Sequence, residues 1–293
     1  MSRAMFTLGE ALEWIDGARL VGHGDLDIHR VHTDSRSLLP GDLFFALRGE
    51  RFDGHHFLGQ LPALGVRAAV AEYGLQQAQV SGLEVPDTRL ALGQLAQGWR
   101  RAHPIGLIAV TGSNGKTTVT QMLASILNAE LGEAALATEG NFNNEIGVPL
   151  TLLRLRSEHR LAVLELGMNH PGEIASLASW AQPTVALVNN AQREHQEFMH
   201  SVQAVAQENG AVIHALTTQG VAVFPADDEH TPLWRKFAGA REVLTFGVGG
   251  DVVVSAAQST QWGWQGRLIC ASRQVDFDFT LNMPGEHNLR NAM

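Results

Sequence analysis

The sequence predicts an α/β protein whose largest domain is built on a mainly parallel β-sheet. Three observations support this fold class. Short apolar runs typical of buried strands recur at 107–111, 161–166, 185–188 and 221–224. Helical patterns lie between them, the clearest having apolar residues three and four apart at Val119, Met122, Leu123, Ile126 and Leu127. After about residue 240, alternating segments such as DVVVSA and RLICASRQVDFDFTL indicate a small antiparallel sheet. Apolar strands that alternate with amphipathic helices form a parallel sheet covered on both faces.

Residues 1–100 predict a separate, smaller domain of mixed α/β type. The opening MSRAMFTLGEALEWIDG is typical of a short amphipathic helix. Residues 42–47 and 66–71 predict short strands, and Gly-containing turns separate the pieces. The pattern changes near His103-Pro104. We therefore expect the second domain to begin at about residue 101.

Composition and charge limit the classes of function. The chain has 293 residues, enough for two ordinary domains and part of a third, and it is 45% hydrophobic and 17% charged, as globular proteins are. A net charge of −9 argues against sequence-independent binding to nucleic acids. A single cysteine, Cys270, cannot form an internal disulfide, and no apolar run approaches the roughly 18 residues of a membrane span. We expect a cytoplasmic monomer without membrane insertion.

The strongest local motif is VTGSNGKTT at 110–118, directly after a predicted strand and before a predicted helix. Its glycines allow a tight turn whose N–H groups point at phosphate, and the helix N-terminus favours the same anion. Lys116 would reach the β- and γ-phosphates, and the Thr117 hydroxyl would bind Mg²⁺. The residues predicted to bind the nucleotide are Gly112, Ser113, Asn114, Gly115, Lys116, Thr117 and Thr118.

The motif departs from the eight-residue phosphate-loop pattern, because Val110 stands where the first glycine is expected. The alternative is therefore a glycine-rich turn that binds nothing. GKTT at a helix start favours a nucleoside triphosphate site, which makes the central domain a P-loop ATPase domain.

Polar residues at two further strand ends are candidate ligands for Mg²⁺. Glu165 ends the strand LAVLEL, and His195 follows the strand VALVNN. Ligands collect at the carboxyl ends of parallel strands, and Mg²⁺ is held by few carboxylates together with phosphates and water. Glu165 could instead cap a loop, and His195 could be a surface or packing residue. Glu194 or Glu197 could replace His195 as the ligand.

The segment TEGNFNNEIGVP at 138–149 is rich in amides and glycine. Asparagines in loops often serve only turn geometry. The alternative is an array of donors over a transferring phosphoryl group and an acceptor carboxylate. The candidates are Thr138, Asn141, Asn143 and Asn144.

Together, GSNGKTT, NFNNEIGVP, the glutamate within ELGM and the NN…H segment resemble the Mur ligase family, in the same order. The segment HTDSRSLLPGDLFFALRGERFDGHHF resembles the uridine-nucleotide-sugar domain of the member that adds D-alanyl-D-alanine to UDP-MurNAc-tripeptide. The positions that match this pattern are Thr33, Asp34, Ser35, Arg36, Gly49 and Asp53-Gly54-His55.

The resemblance implies a domain plan. Residues 1–100 would bind the UDP-sugar-peptide, residues 101–284 would form the central ATP-binding domain, and residues 285–293 would start a truncated C-terminal domain. The closing GEHNLRNAM opens like a helix, and the resemblance places His287, Asn288 and Asn291 near the adenine.

The resemblance also implies the reaction, with ATP and Mg²⁺ as cofactors. ATP would phosphorylate the carboxylate of UDP-MurNAc-tripeptide, and the amine of D-alanyl-D-alanine would displace phosphate, with Lys116, Glu165 and His195 as catalytic residues. This ADP-forming ligase would serve peptidoglycan synthesis, and through it cell shape and division. The alternatives are another amino-acid-adding member, a folylpolyglutamate synthase, or a non-catalytic nucleotide-binding module.

One departure from the family concerns a lysine, commonly carbamylated, that offers a carboxylate to a second metal. The corresponding stretch here, AVAQENGAV at 204–212, has no lysine. We hypothesise that Glu208 supplies the negative charge directly; alternatively, Glu208 is a solvated helix residue.

Overall fold

The computed structural model describes residues 4–49, 52–193 and 201–293. The chain divides into two compact units. The first comprises Met1–Pro104 and Glu145–Leu155, and the second comprises Ile105–Asn144 and Arg156–Met293. The short segment 145–155 therefore packs with the first unit, although the sequence assigned it to the central domain.

The strands of the described residues, in chain order, are β1 Phe6–Thr7, β2 Arg19–Val21, β3 Asp27–Ile28, β4 Arg30–His32, β5 Asp42–Phe45, β6 Ala68–Ala71, β7 Ser81–Glu84, β8 Gly106–Thr111, β9 Ala135–Ala137, β10 Leu161–Glu165, β11 Val185–Val188, β12 Val221–Pro225, β13 Glu242–Phe246, β14 Val252–Ser259, β15 Trp264–Cys270 and β16 Val275–Leu281. The helices are α1 Leu8–Trp14, α2 Leu75–Ala78, α3 Thr88–Ala102, α4 Lys116–Leu131, α5 Gly147–Leu152, α6 Glu173–Ala181, α7 Val202–His214, α8 Thr231–Ala238 and α9 Glu286–Asn291.

The first unit has a five-stranded sheet in the order β2-β7-β6-β5-β4. Its strands β4 to β7 pair in parallel, and β2 is antiparallel to β7. The predicted opening helix is α1. It starts where it does because the Thr7 hydroxyl accepts from the Glu10 N–H at 3.2 Å, while the Glu10 carboxylate accepts from the Thr7 N–H at 2.6 Å. The prediction of a small mixed domain is confirmed.

The second unit has a nine-stranded sheet in the order β16-β15-β14-β13-β12-β11-β8-β10-β9. Strands β8 to β14 pair in parallel, and β14, β15 and β16 pair antiparallel. The predicted mainly parallel sheet is thus confirmed. The antiparallel strands continue it, since Phe246 of β13 pairs with Val252 of β14.

Helix α4 packs on β8 and β10 through a buried cluster that includes Val110, Val119, Leu127 and Val163. Ile126, predicted on the apolar face, is 59% exposed. Thr120 is fully buried, which shows that the inward face of α4 is rotated away from Ile126. No helix in the described part of the chain is both long and apolar enough to cross a membrane.

Candidate active site

The predicted phosphate loop joins the end of β8, Thr111, to the first residue of α4, Lys116. Gly112 has φ +133° and Gly115 has φ +79°, backbone conformations that residues with a Cβ rarely adopt. A Cβ on Gly115 would lie 2.5 Å from the Asn291 Oδ1 atom. Both glycines are therefore needed for the loop to turn at the N-terminus of a 16-residue helix.

The Lys116 ammonium lies against this loop. Its Nζ atom donates to the Gly112 carbonyl at 2.5 Å and to the Ser113 carbonyl at 3.1 Å. The positive charge of Lys116 and the N-terminus of α4 therefore lie close together. This arrangement favours the binding of a polyanion.

Glu165 lies beside the phosphate loop, because β10 pairs with β8 and places it opposite Val110. Its side chain is nearly buried, and Oε1 accepts from the Thr117 hydroxyl at 3.2 Å and from the Asn143 amide at 2.8 Å. Its backbone N–H donates to the Thr138 hydroxyl at 3.0 Å. Four residues singled out in the sequence therefore converge, and two of them present oxygen ligands of the kind that Mg²⁺ prefers.

The other two asparagines of the 138–149 segment are placed differently. Asn141 and Asn144 are exposed. The Asn141 carbonyl accepts from the Asn143 N–H at 2.8 Å, a contact within a turn. This favours the turn interpretation for Asn141, whereas Asn143 contacts Glu165.

Two asparagines that follow β11 hydrogen-bond to the phosphate loop, a role that was not predicted for them from the sequence. The Asn189 amide donates to the Asn114 carbonyl at 2.7 Å. Asn190 accepts from the Ser113 and Asn114 N–H groups at 3.1 and 2.9 Å. Their position at the end of a strand next to β8 was the feature of the sequence from which this contact could have been predicted.

His195, with its possible substitutes Glu194 and Glu197, lies outside the described residues. Its role as a metal ligand and catalytic residue stays a prediction. Within residues 4–49, 52–193 and 201–293, no group of three or more His, Cys, Asp or Glu side chains is arranged to hold a metal ion.

The contacts of Glu208 differ from both roles considered for it in the sequence. Its Oε2 atom accepts from the Gly172 N–H and its Oε1 atom from the Ile174 N–H, each at 2.9 Å. Both oxygens thus hold the N-terminus of α6. These contacts support a structural role, and a metal-binding role for Glu208 stays untested.

A cleft of about 870 Å³ opens beside the phosphate loop. Thr118 and Asn288 line it, as do three acidic residues that follow β12, Asp227 to Glu229. Helix α9 is fixed against it, because Arg290 Nη2 donates to Asp227 Oδ1 at 2.7 Å and Asn291 Oδ1 accepts from the Asn189 amide at 3.0 Å. His287, Asn288 and Asn291, which the family resemblance placed near the adenine, all line this cleft. Arg290 and the acidic residues were not predicted from the sequence.

The predicted substrate residues of the first unit include Thr33, Asp34, Ser35 and Arg36. Asp34 caps the short 3₁₀ helix Ser35–Ser37, and its carboxylate also pairs with Arg36 at 2.6 Å. Hydrogen bonds from the Arg36 guanidinium and N–H hold the pKa of Asp34 well below its usual range. Thr33 is partly buried.

A second polar group of the first unit centres on His55. Its Nδ1 atom lies 2.6 Å from Asp53 Oδ1, and its Nε2 atom accepts from the Glu72 N–H at 2.9 Å. Partial burial raises the pKa of Asp53, but hydrogen bonds from His55 and the nearby Arg48 outweigh it and lower the pKa to about 2. The His55 ring is thus hydrogen-bonded through both of its nitrogens, and the Asp53 carboxylate stays ionised near neutral pH.

Comparison with known proteins identifies the family. A sequence profile described as the Mur ligase middle domain matches residues 110–293, more than half of the chain. The chain belongs to the Mur ligase family. A second profile, described as the Mur ligase family catalytic domain, matches residues 27–100. The resemblance stated from the motifs is confirmed.

Relatives within the Mur ligase family include curated and solved proteins. The UDP-N-acetylmuramoyl-tripeptide–D-alanyl-D-alanine ligase of Haemophilus influenzae is 42% identical over 94% of this chain and 60% of its own length. MurF from Acinetobacter baumannii has a TM-score of 0.87 at 38% identity, over 97% of this chain and 61% of its own. MurF ligase from Thermotoga maritima, solved in complex with ADP, has a TM-score of 0.76 at 28% identity, over 89% and 60%. The chain thus spans about 60% of the length of these relatives.

Proposed function

We propose that this chain forms the substrate-binding and ATP-binding parts of a ligase that joins D-alanyl-D-alanine to UDP-MurNAc-tripeptide. The supporting observation is the convergence of Lys116, Thr117 and Glu165 at the phosphate loop. The names of the relatives from Haemophilus influenzae and Acinetobacter baumannii support the choice of member. Residues 1–100 would bind the UDP-linked peptide, 101–284 the nucleotide, and 285–293 would begin a C-terminal domain.

ATP is the proposed nucleotide, with its triphosphate on the loop 112–118 and its base in the cleft beside α9. The ADP bound to the Thermotoga maritima relative supports this assignment. The cleft volume of about 870 Å³ accommodates a nucleotide, and the loop N–H groups and Lys116 would neutralise phosphate charge. Asn288 would contact the base.

The oxygen atoms of Thr117 and Glu165, 3.2 Å apart, fit a shared Mg²⁺ ion. The bound ion would neutralise charge on the β- and γ-phosphates. His195 is the third proposed ligand. Because Asn143 donates to the same Glu165 oxygen, it would orient that carboxylate toward the ion.

The proposed reaction has two steps, phosphoryl transfer and then amide formation. The tripeptide carboxylate attacks the γ-phosphorus of ATP, and ADP leaves with the electrons of the broken P–O bond. The amine of D-alanyl-D-alanine then attacks the acyl phosphate, losing a proton as phosphate leaves. This residue set works by positioning and charge neutralisation, and we propose a cytoplasmic monomer in peptidoglycan synthesis.

Calorimetry on this chain tests the proposal independently of turnover. We expect it to bind ATP in the presence of Mg²⁺, and UDP-MurNAc-tripeptide more tightly than UDP-MurNAc. If the chain does not bind ATP, or does not bind UDP-MurNAc-tripeptide, the proposal is wrong.

Turnover then separates the members of the family. In protein that releases phosphate from ATP, release should require both UDP-MurNAc-tripeptide and D-alanyl-D-alanine. Release with UDP-MurNAc-dipeptide and a single amino acid would assign another member, and release with a reduced pterin substrate and glutamate would assign a folate enzyme. Tight binding without release for any substrate pair would indicate the non-catalytic module.

A further inference from the structure

Asn209, a residue of α7 for which the sequence predicted no role, contacts the start of the phosphate loop. It is only 1% exposed. Its Oδ1 atom accepts from the Thr111 hydroxyl at 2.6 Å and from the Gly112 N–H at 3.1 Å. One side-chain oxygen therefore receives two donors at the point where β8 becomes the loop.

The hydrogen bond to Gly112 is important because the phosphate loop requires the positive φ angle of this glycine. Its φ of +133° turns the chain out of the strand, and a Cβ there would lie 3.0 Å from the Asn190 N atom. The Gly112 N–H is fixed by Asn209, and its carbonyl accepts from Lys116 Nζ at 2.5 Å. A chain of contacts thus runs from Asn209 through Gly112 to the ammonium that we propose for phosphate binding.

We infer that Asn209 is a positioning residue that holds the phosphate loop in its nucleotide-binding shape; the inference rests on the proposed function. Asn209 is buried, so its effect on a nucleotide passes through Gly112 and Lys116. Asn209 itself is held in place by helix α7, which packs in the domain through other buried residues such as Val205, Val212 and Ile213.

A buried amide can also serve folding alone, and ligand binding separates the two roles. A positioning role predicts that removing the acceptor weakens nucleotide binding while binding of the UDP-linked peptide, assigned to the first unit, is unchanged. A purely structural role predicts lower thermal stability with nucleotide affinity retained in the folded protein.

The test uses two variants and a control, measured by calorimetry at a temperature where circular dichroism shows each protein fully folded. Asn209→Leu replaces the amide with an apolar group of similar size and should weaken MgATP binding at least tenfold. Thr111→Val removes one of the two donors with little change of shape and should weaken it about threefold. Gln207→Ala, at an exposed position of the same helix, should bind as the wild type does.

The outcomes separate this inference from the proposed function. If the wild-type protein does not bind MgATP, both the proposed function and this inference are wrong. Wild-type binding with unchanged affinity in Thr111→Val and in folded Asn209→Leu overturns the inference alone. If Asn209→Leu does not fold, Thr111→Val decides, because it changes the shape of the fully buried Thr111 side chain very little.

Discussion

Replacing Glu165 with glutamine tests the proposed Mg²⁺ site most directly. Glu165→Gln keeps the shape of a side chain that is only 2% exposed and removes its negative charge. In the absence of ligand the Thr117 and Asn143 donors still meet an acceptor oxygen, so we expect the free energy of unfolding to change by less than about 1 kcal/mol. The effect should therefore be confined to metal and nucleotide binding.

The magnitude follows from the lost contact. An interaction with a charged partner contributes about 1.5–3 kcal/mol, and each 1.4 kcal/mol is a factor of about ten in affinity. We therefore expect MgATP binding to weaken by about 10- to 150-fold. ATP measured in excess chelator should bind the variant at least as tightly as the wild type, because the substitution removes a negative charge beside the proposed phosphate site.

The assay is calorimetric titration of ATP with and without Mg²⁺. Glu158→Gln is the matched control, because it removes the same charge from an exposed position. If Glu165→Gln retains the full gain in affinity that Mg²⁺ gives the wild type, Glu165 does not hold the ion and the proposed site is wrong.

Three further predictions concern single side chains. Lys116→Ala should weaken ATP binding at least tenfold and abolish phosphate release in protein that turns over, because it removes the positive charge at the loop; a retained rate would exclude Lys116 from the mechanism. Glu208→Ala should cost about 1–3 kcal/mol of unfolding free energy in denaturant titrations, because the N–H groups of Gly172 and Ile174 lose their acceptors, and should leave the Mg²⁺ dependence of ATP binding intact; loss of that dependence would restore its predicted role as a ligand. The pKa of Asp53 is lowered to about 2 on folding, so its ionised form stabilises the protein above about pH 4, and this contribution is lost as the pH falls toward 2. Denaturant midpoints of wild type and Asp53→Asn should accordingly converge between pH 5 and 2, and a constant difference would contradict the pKa assignment.

Local patterns made much of the fold predictable. The parallel strands β8, β10, β11 and β12 are continuous apolar runs, and the phosphate loop has its glycines and lysine in one short segment, so both could be predicted from neighbouring residues. Glu165 was predictable because it ends a strand, and strand ends meet at one edge of a parallel sheet.

Other features depend on which elements become neighbours in space. Asn209 and Glu208 are adjacent in the sequence, yet one contacts the phosphate loop and the other the start of α6. Periodicity alone does not say what lies opposite each face of α7. The exposure of Ile126 has a similar origin, because the sheet beneath α4 selects which face of the helix is buried.

The three antiparallel strands β14, β15 and β16 have a consequence for the dynamics of the cleft beside the phosphate loop. They pair extensively with one another, but the ladder between β13 and β14 in the described residues has one register pair, Phe246 with Val252. Amide hydrogens of this extension should therefore exchange with solvent faster than those of β8 and β10. Helix α9 follows β16 after four residues, so a local opening of these strands would leave the Arg290–Asp227 and Asn291–Asn189 hydrogen bonds as the contacts that keep α9 at the cleft.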